Sequence, residues 1–257
     1  WLLAWTEGLL PSELRRHAFT VIWLGYILAM NAAALRRGGE CPLLQGSRWF
    51  LALFPVSAAF WWLFEYLNQF TDNWHYIGIG TPGRGAYIVQ GSLAFSTVLP
   101  VIASTRAWLA THIGFRRLRN VAARPAIAWL ALFAGAIALA GIGLWPEVLY
   151  PALWVSPLLI ACALQSLLLR TSPLAPVAHG DWRPLLEPAA AALLCGLLWE
   201  LWNYGSLAKW QYSIPYVQRF HVFEMPVLGY AGYLPFGVLC AVIIDLVKRF
   251  AQAREPD

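Results

Sequence analysis

An all-α polytopic membrane protein is the fold class this sequence predicts, and three observations predict it. Hydrophobic residues make up 60% of the chain and charged residues only 12%, far from the balance of a water-soluble domain. The apolar residues gather in seven runs, each near the roughly 20 residues that carry a helix across a hydrocarbon core of about 30 Å. The runs are apolar throughout rather than alternating, which excludes a membrane β-barrel and leaves helices as the spanning elements.

In chain order the runs are His17 to Leu35, Trp49 to Gln69, Ala86 to Thr105, Ala126 to Trp145, Leu149 to Leu169, Leu185 to Tyr204 and Pro226 to Val247. Before them, residues 1–16 hold a short apolar stretch interrupted by Glu7 and Pro11. It lacks the charged leader, long apolar run and small-residue cleavage site of a signal peptide, and reads as an interfacial helix. Because the chain opens on Trp1 rather than Met, an eighth span upstream fits the same reading. The longest connections, Arg106 to Pro125 and Gly205 to Met225, are too short for a soluble domain. Residues 1–257 therefore form one membrane domain, with halves at 17–125 and 126–257. Pro55, Pro100, Pro151, Pro157 and Pro235 fall within or beside the spans, where proline frees carbonyls, kinks helices and so shapes cavities.

The basic residues set the orientation, since short cytoplasmic loops are enriched in Lys and Arg. One side carries Arg36, Arg37, Arg48, Arg106, Arg116, Arg117, Arg119, Arg124, Arg170, Arg183, Lys248, Arg249 and Arg254. The other carries Arg15, Arg16, Arg84, Lys209 and Arg219. Thirteen against five places the carboxyl terminus in the cytoplasm and the amino terminus outside, in a plasma membrane of the bacterial inner-membrane type. The formal charge of +5 is what such loops supply and calls for no nucleic-acid partner. Arg116, Arg117 and Arg119 are placed to attract anionic headgroups of membrane lipids.

A pattern occurs twice. Phe64 to Tyr76 reads FEYLNQFTDNWHY and Trp199 to Tyr212 reads WELWNYGSLAKWQY, each giving Glu-x-x-Asn, a gap, then Trp-x-Tyr. Gly91-Leu93-Phe95 follows the first copy and Gly232-Leu234-Phe236 the second. The second and sixth spans thus correspond, as do the third and seventh. An offset of four helices keeps both copies in one orientation, a parallel repeat about an axis along the membrane normal. Glu65 and Asn68, and likewise Glu200 and Asn203, are three residues apart and share a helix face. Facing each other at the axis, they would form a polar pocket in the outer leaflet.

Glu65, Glu200 and Glu224 are the candidate catalytic residues, because acids at the ends of apolar helices are expensive to place there. A carboxyl in apolar surroundings, the more so beside a second carboxylate, can hold a proton at neutral pH and deliver it as a general acid. Asn68, Asn203, Trp74, Tyr76, Trp210, Tyr212, Trp199 and Trp202 are the candidate ligand-binding residues, the aromatic faces being suited to a cation such as a carbocation. The same residues also fit bland roles: Trp and Tyr crowd every membrane interface, and Glu-Asn pairs bond neighbouring helices.

Other motifs are weaker. His75 and His221 lie in outer loops near Glu65 and Glu200, but no ligand spacing marks a metal site. Cys41, Cys162, Cys195 and Cys240 form no C-x-x-C and behave as small apolar residues. Gly78 to Gly85 lacks the Gly-Lys-Ser/Thr ending of a phosphate loop. Asp245 and Lys248 fit a snorkelling ion pair. With no catalytic triad, zinc helix or dinucleotide fingerprint in the sequence, no cofactor is expected.

The acid and Trp near the outer end of one helix, the Trp/Tyr loop and the following Pro-led helix beside an acid, in two parallel copies, resemble the membrane lycopene cyclase and carotenoid hydratase type of duplicated helical domain. The resemblance covers Phe64 to Ile102 and Trp199 to Ile243. It implies protonation of an isoprenoid polyene and guidance of the carbocation to a ring or to water, without a metal. The family's motif sets a proline before paired acids; here Glu224-Met225-Pro226 puts the acid before the proline, and Tyr87 to Gly91 has no acid. Two readings follow: a protein that binds or acts on an isoprenoid or lipid-like ligand, and a non-catalytic subunit of a photosynthetic or respiratory membrane complex, packed on pigment, quinone or partner subunits.

Overall fold

Residues 2–112, 125–170 and 173–253 are described by a computed structural model. Arg116, Arg117, Arg119, Arg124 and Arg254, with the orientation and headgroup roles read from them, lie outside the described residues. The main helices are α1 (Ser12–Arg36), α2 (Ser47–Thr71), α3 (Arg84–Phe95), α4 (Val98–Ala110), α5 (Pro125–Gly141), α6 (Ala152–Leu168), α7 (Arg183–Tyr204) and α8 (Tyr233–Gln252). Short helical turns lie at Leu2–Trp5, Pro42–Gln45, Pro146–Leu149 and Ala175–Ala178, and a 3-10 turn at Val227–Gly232 leads into α8. Among the described residues, five stretches are long and apolar enough to cross a membrane: Ser12–Arg36, Arg48–Thr71, Arg84–Ala110, Arg183–Tyr204 and Val227–Gln252. The runs expected to span at Ala126 and Leu149 are realised as shorter helices, Ala126–Gly141 and Ala152–Leu168. Helix α1 starts inside the expected interfacial segment, because Pro11 precedes Ser12 in an extended conformation that a helix can follow.

The core is built where α2, α4, α7 and α8 meet, with α1 against α4, α6 against α8 and α5 outside on α6. Trp23, Phe50, Phe64, Ile102, Phe236 and Leu239 are fully buried there. Two glycines set how closely α7 and α8 approach. A Cβ on Gly237 would strike the Pro188 carbonyl, and one on Gly196 would lie 2.5 Å from the Tyr233 ring. Small residues at such crossings let backbones touch where lipid gives no hydrophobic drive to association.

The third apolar stretch breaks into α3 and α4 at Ser96 and Thr97. Pro100 carries no N–H to return to Ser96, and both break residues bond backwards, Ser96 Oγ to Leu93 O at 2.7 Å and Thr97 Oγ1 to Ala94 O at 2.8 Å. Ser57 of α2 fills the break: its hydroxyl donates to Phe95 O at 2.6 Å and accepts the Leu99 N–H at 3.0 Å. A hydroxyl from a neighbouring helix is how a broken helix is tolerated at this depth.

The two Trp-x-Tyr segments depart from the all-α expectation. They form strands β1 (Trp74–Ile77) and β2 (Lys209–Tyr212), paired antiparallel with Trp74 opposite Tyr212 and Tyr76 opposite Trp210. The register centres on His75 and Gln211, so half a turn about an axis between them carries Trp74 onto Trp210 and Tyr76 onto Tyr212. A smaller hairpin pairs β3 (His221–Val222) with β4 (Met225–Pro226). At the other end of the bundle Arg106 bridges helices, reaching Glu187 at 3.4 Å and Asp245 at 3.8 Å. Asp245 therefore pairs with Arg106 rather than Lys248, whose ammonium sits 5.4 Å from the centre of the Trp49 ring.

Candidate functional site

The repeated Glu-x-x-Asn and Trp-x-Tyr pattern is a clip between a helix end and a strand. Asn203 of α7 donates from Nδ2 to Trp210 O at 2.8 Å and accepts the Trp210 N–H on Oδ1 at 2.8 Å. Asn68 of α2 does the same for Trp74, at 2.7 Å and 3.4 Å, and also takes the Asn73 N–H at 2.9 Å. Each asparagine thereby imitates a strand partner for a backbone that has left its helix. The asparagines bond the strands and not the glutamates; they orient the acids at one remove, through the tyrosine each strand carries.

Those tyrosines close the clip. Tyr76 donates to Glu65 Oε1 at 2.6 Å, joined by the indole N–H groups of Trp61 at 2.9 Å and Trp74 at 3.1 Å. Tyr212 and Tyr233 donate to Glu200 Oε1 at 2.7 Å and 2.8 Å. The second set replaces Trp61 by Gly196, and the space so left holds the Tyr233 ring. Glu200 is 0% exposed and its Oε2 has no partner among the described residues, whereas Glu65 is half-buried. Tyr76 and Tyr212, on the strands, are pushed well above the usual tyrosine range, by burial first and then by the adjacent glutamate.

Between the strands and the helices lies a cleft of about 190 Å³ with mostly apolar walls. Trp61, Trp74, Trp199, Trp210, Tyr76, Tyr212 and Tyr233 face it, with Trp154 from α6. The carboxylates expected to line a polar pocket stand behind this wall: among the described residues no Asp or Glu lines the cleft. Glu65 and Glu200 do not share a donor, and Phe236 packs between Trp61 and Trp199, with ring centroids 5.7 Å and 6.4 Å away. The side of the cleft between α1 and α3 is formed by Phe19 and Thr20 on one helix and Gln90, Gly91 and Ala94 on the other.

Other expected site residues fall elsewhere. Trp202 packs on α1, its ring 4.4 Å from Trp23 and 5.9 Å from Tyr26, away from the cleft. Glu224 lies in the β3–β4 hairpin and pairs with Lys209 at 2.5 Å; Lys209, not Glu224, lines the cleft. His75 and His221 are exposed, and among the described residues no three His, Cys, Asp or Glu side chains gather as a metal site requires. Sequence reasoning missed Tyr233, Trp154 and Arg16. Tyr233 directly follows Gly232 of the Gly-x-Leu-x-Phe segment, which was the one signal available; the other two reach the cleft only through tertiary packing. Compared with family models, curated proteins and solved structures, the chain has no match.

Proposed function

We propose that this protein binds an isoprenoid or similar lipid-like ligand in the cleft beneath the β1–β2 ribbon, and that its two glutamate–tyrosine sets are the acid groups of that site. The observation that carries the reading is the aromatic wall: a mostly apolar cleft onto which tyrosines and tryptophans face, their hydroxyl and indole N–H groups backed by two carboxyls. Aromatic faces suit a polyene and a carbocation derived from it. A proton held by Glu200 reaches the cleft through Tyr212 or Tyr233: the carboxyl donates to the phenol oxygen while the phenol turns its own proton to the ligand. The resemblance to membrane lycopene cyclases and carotenoid hydratases points the same way. The chain is read as crossing a plasma membrane seven times, amino terminus outside, as a parallel duplication; the matched clips and the ribbon register support the duplication.

Mass spectrometry of what accompanies the protein, purified gently from its native membrane, tests the reading. A bound isoprenoid or lipid, lost when Ala94→Trp fills the cleft, is the expected result; an Ala94→Trp protein that carries the same molecules in the same amount would overturn it. The second reading, a subunit of a photosynthetic or respiratory complex, is favoured by one observation. Tyr216 and Phe220 stand 78% and 83% exposed on the outer loop, a surface suited to a partner subunit. Stoichiometric partner polypeptides in the same preparation would select it.

A further inference from the structure

The cleft is apolar over its depth but not at its rim. Arg16, in the second turn of α1, and Lys209 of β2 both line it. No Asp or Glu among the described residues does. The Arg16 and Lys209 side chains are 30% and 21% exposed, so the rim presents two basic groups to whatever occupies the cleft, while Trp61 lies about 15 Å below the end of its helix at Thr71, at about 1.5 Å per residue. The charges have partners, but not enough to use their donors. Arg16 Nη1 pairs with Glu13, which is 72% exposed, and a pair so open to water is weak. Its Nε is buried with no hydrogen-bond partner among the described residues, an unmet donor on a group built to bind anions in a fork. Lys209 Nζ meets Glu224 at 2.5 Å and the Tyr204 carbonyl at 3.4 Å, leaving one of three ammonium protons. The Gly78 to Gly85 loop lies against the same rim. A Cβ on Gly80 would sit 3.8 Å from the Arg16 guanidinium carbon, so this loop passes beside the arginine.

We infer that the cleft takes an anionic amphiphile, a long apolar tail carrying a phosphate-class head, with the head between Arg16 and Lys209 and the tail along the aromatic wall. The inference rests on the reading that the cleft holds an apolar chain and adds the charge of its head. Two sources carry that chemistry, a polyprenyl phosphate and a bilayer phospholipid such as phosphatidic acid. The side between α1 and α3, where Gly91 and Ala94 carry small side chains, is where the tail of either one would pass toward the membrane.

Binding of a polyprenyl phosphate, the matching uncharged polyprenol, phosphatidic acid and inorganic phosphate to the full chain in neutral detergent, read by tryptophan fluorescence, tests this. Polyprenyl phosphate is expected to bind at least about tenfold tighter than the alcohol, the size of one charge-assisted hydrogen bond. Arg16→Gln with Lys209→Gln should remove that preference, bringing the phosphate to the affinity of the alcohol; Arg16→Lys with native Lys209 should keep most of it and shows that the site still folds. Equal binding of phosphate and alcohol by the native protein would overturn the anionic head while the apolar cleft stands. Loss of no ligand in Ala94→Trp would overturn the cleft reading itself. Inorganic phosphate binding as tightly as polyprenyl phosphate would also overturn the inference, since the chain would then contribute nothing. Phosphatidic acid matching polyprenyl phosphate would support the inference with a bilayer phospholipid as the source; discrimination between them would support it with an isoprenoid.

Discussion

Asn203 has no exposed surface and satisfies both backbone groups of Trp210. Replacing it by alanine strands a part-buried N–H and C=O, each a loss of about 1 kcal/mol. Asn203→Ala should therefore lower thermal stability in detergent by several degrees, with Asn203→Asp recovering only the accepting half of the clip. The tyrosines it positions make a second expectation. Burial, and then the adjacent glutamate, raises Tyr76 and Tyr212 well above their ordinary value of 10.0. A folded-state value above the unfolded one means their contribution to stability is complete below about pH 10 and is lost as pH rises beyond it. Spectrophotometric titration of the native protein near pH 10 should lose no phenolate amplitude when Tyr76 and Tyr212 are both changed to Phe; a loss would show that they titrate there.

The α7–α8 crossing rests on a glycine that has no room to grow. A Cβ at Gly237 meets the Pro188 carbonyl and the Ala192 Cβ at 2.6 Å, whereas one at Gly91 meets only ring carbons at 3.3 Å. Gly237→Ala should destabilise by about 1–3 kcal/mol, as overpacking does, and Gly91→Ala by much less, measured by thermal unfolding side by side. At this scale the sequence announced most of the helices. Apolar runs gave α1, α2 and α7 with ends a few residues off, and α8 with a start seven residues late because the Val227–Gly232 3-10 turn precedes it; Pro100 marked the region where α3 gives way to α4. The filling of that break by Ser57 was not legible, because a hydroxyl on another helix leaves no local pattern. The ribbon was not legible either. WHYI and KWQY are four residues each, pair across half the chain, and carry only one period-two repeat of aromatics, which also fits an interfacial anchor.

For the whole molecule, the repeated motif was visible as spelling but not as mechanics. Its spacing suggested carboxylates facing one another, whereas the strands turn their tyrosines inward and place the acids behind them. That difference arises from β1 pairing with β2, which sets the aromatic residues of both copies in one wall. The orientation drawn from Lys and Arg is open to a direct test with single cysteines in a background cleared of the four native ones. Cysteine at Tyr216 should react with an impermeant maleimide in intact cells, and cysteine at Arg249 only after the cells are broken; the reverse pattern would invert the topology.

The broken third stretch has a consequence for how the protein breathes. Helix α3 contains no buried residue, while α4 below it is buried for most of its length. The upper half is tied to the bundle by the Ser57 hydroxyl at its base, by the Trp62 indole bonded to Ser92 at 2.9 Å, and by the Trp62 ring against Tyr87 and Phe95. Elements with few buried contacts open locally while the rest stays folded. One wall of the cleft is therefore the part expected to open first, and hydrogen exchange faster in α3 than in α4 would show the aromatic interior gaining access to the bilayer through it.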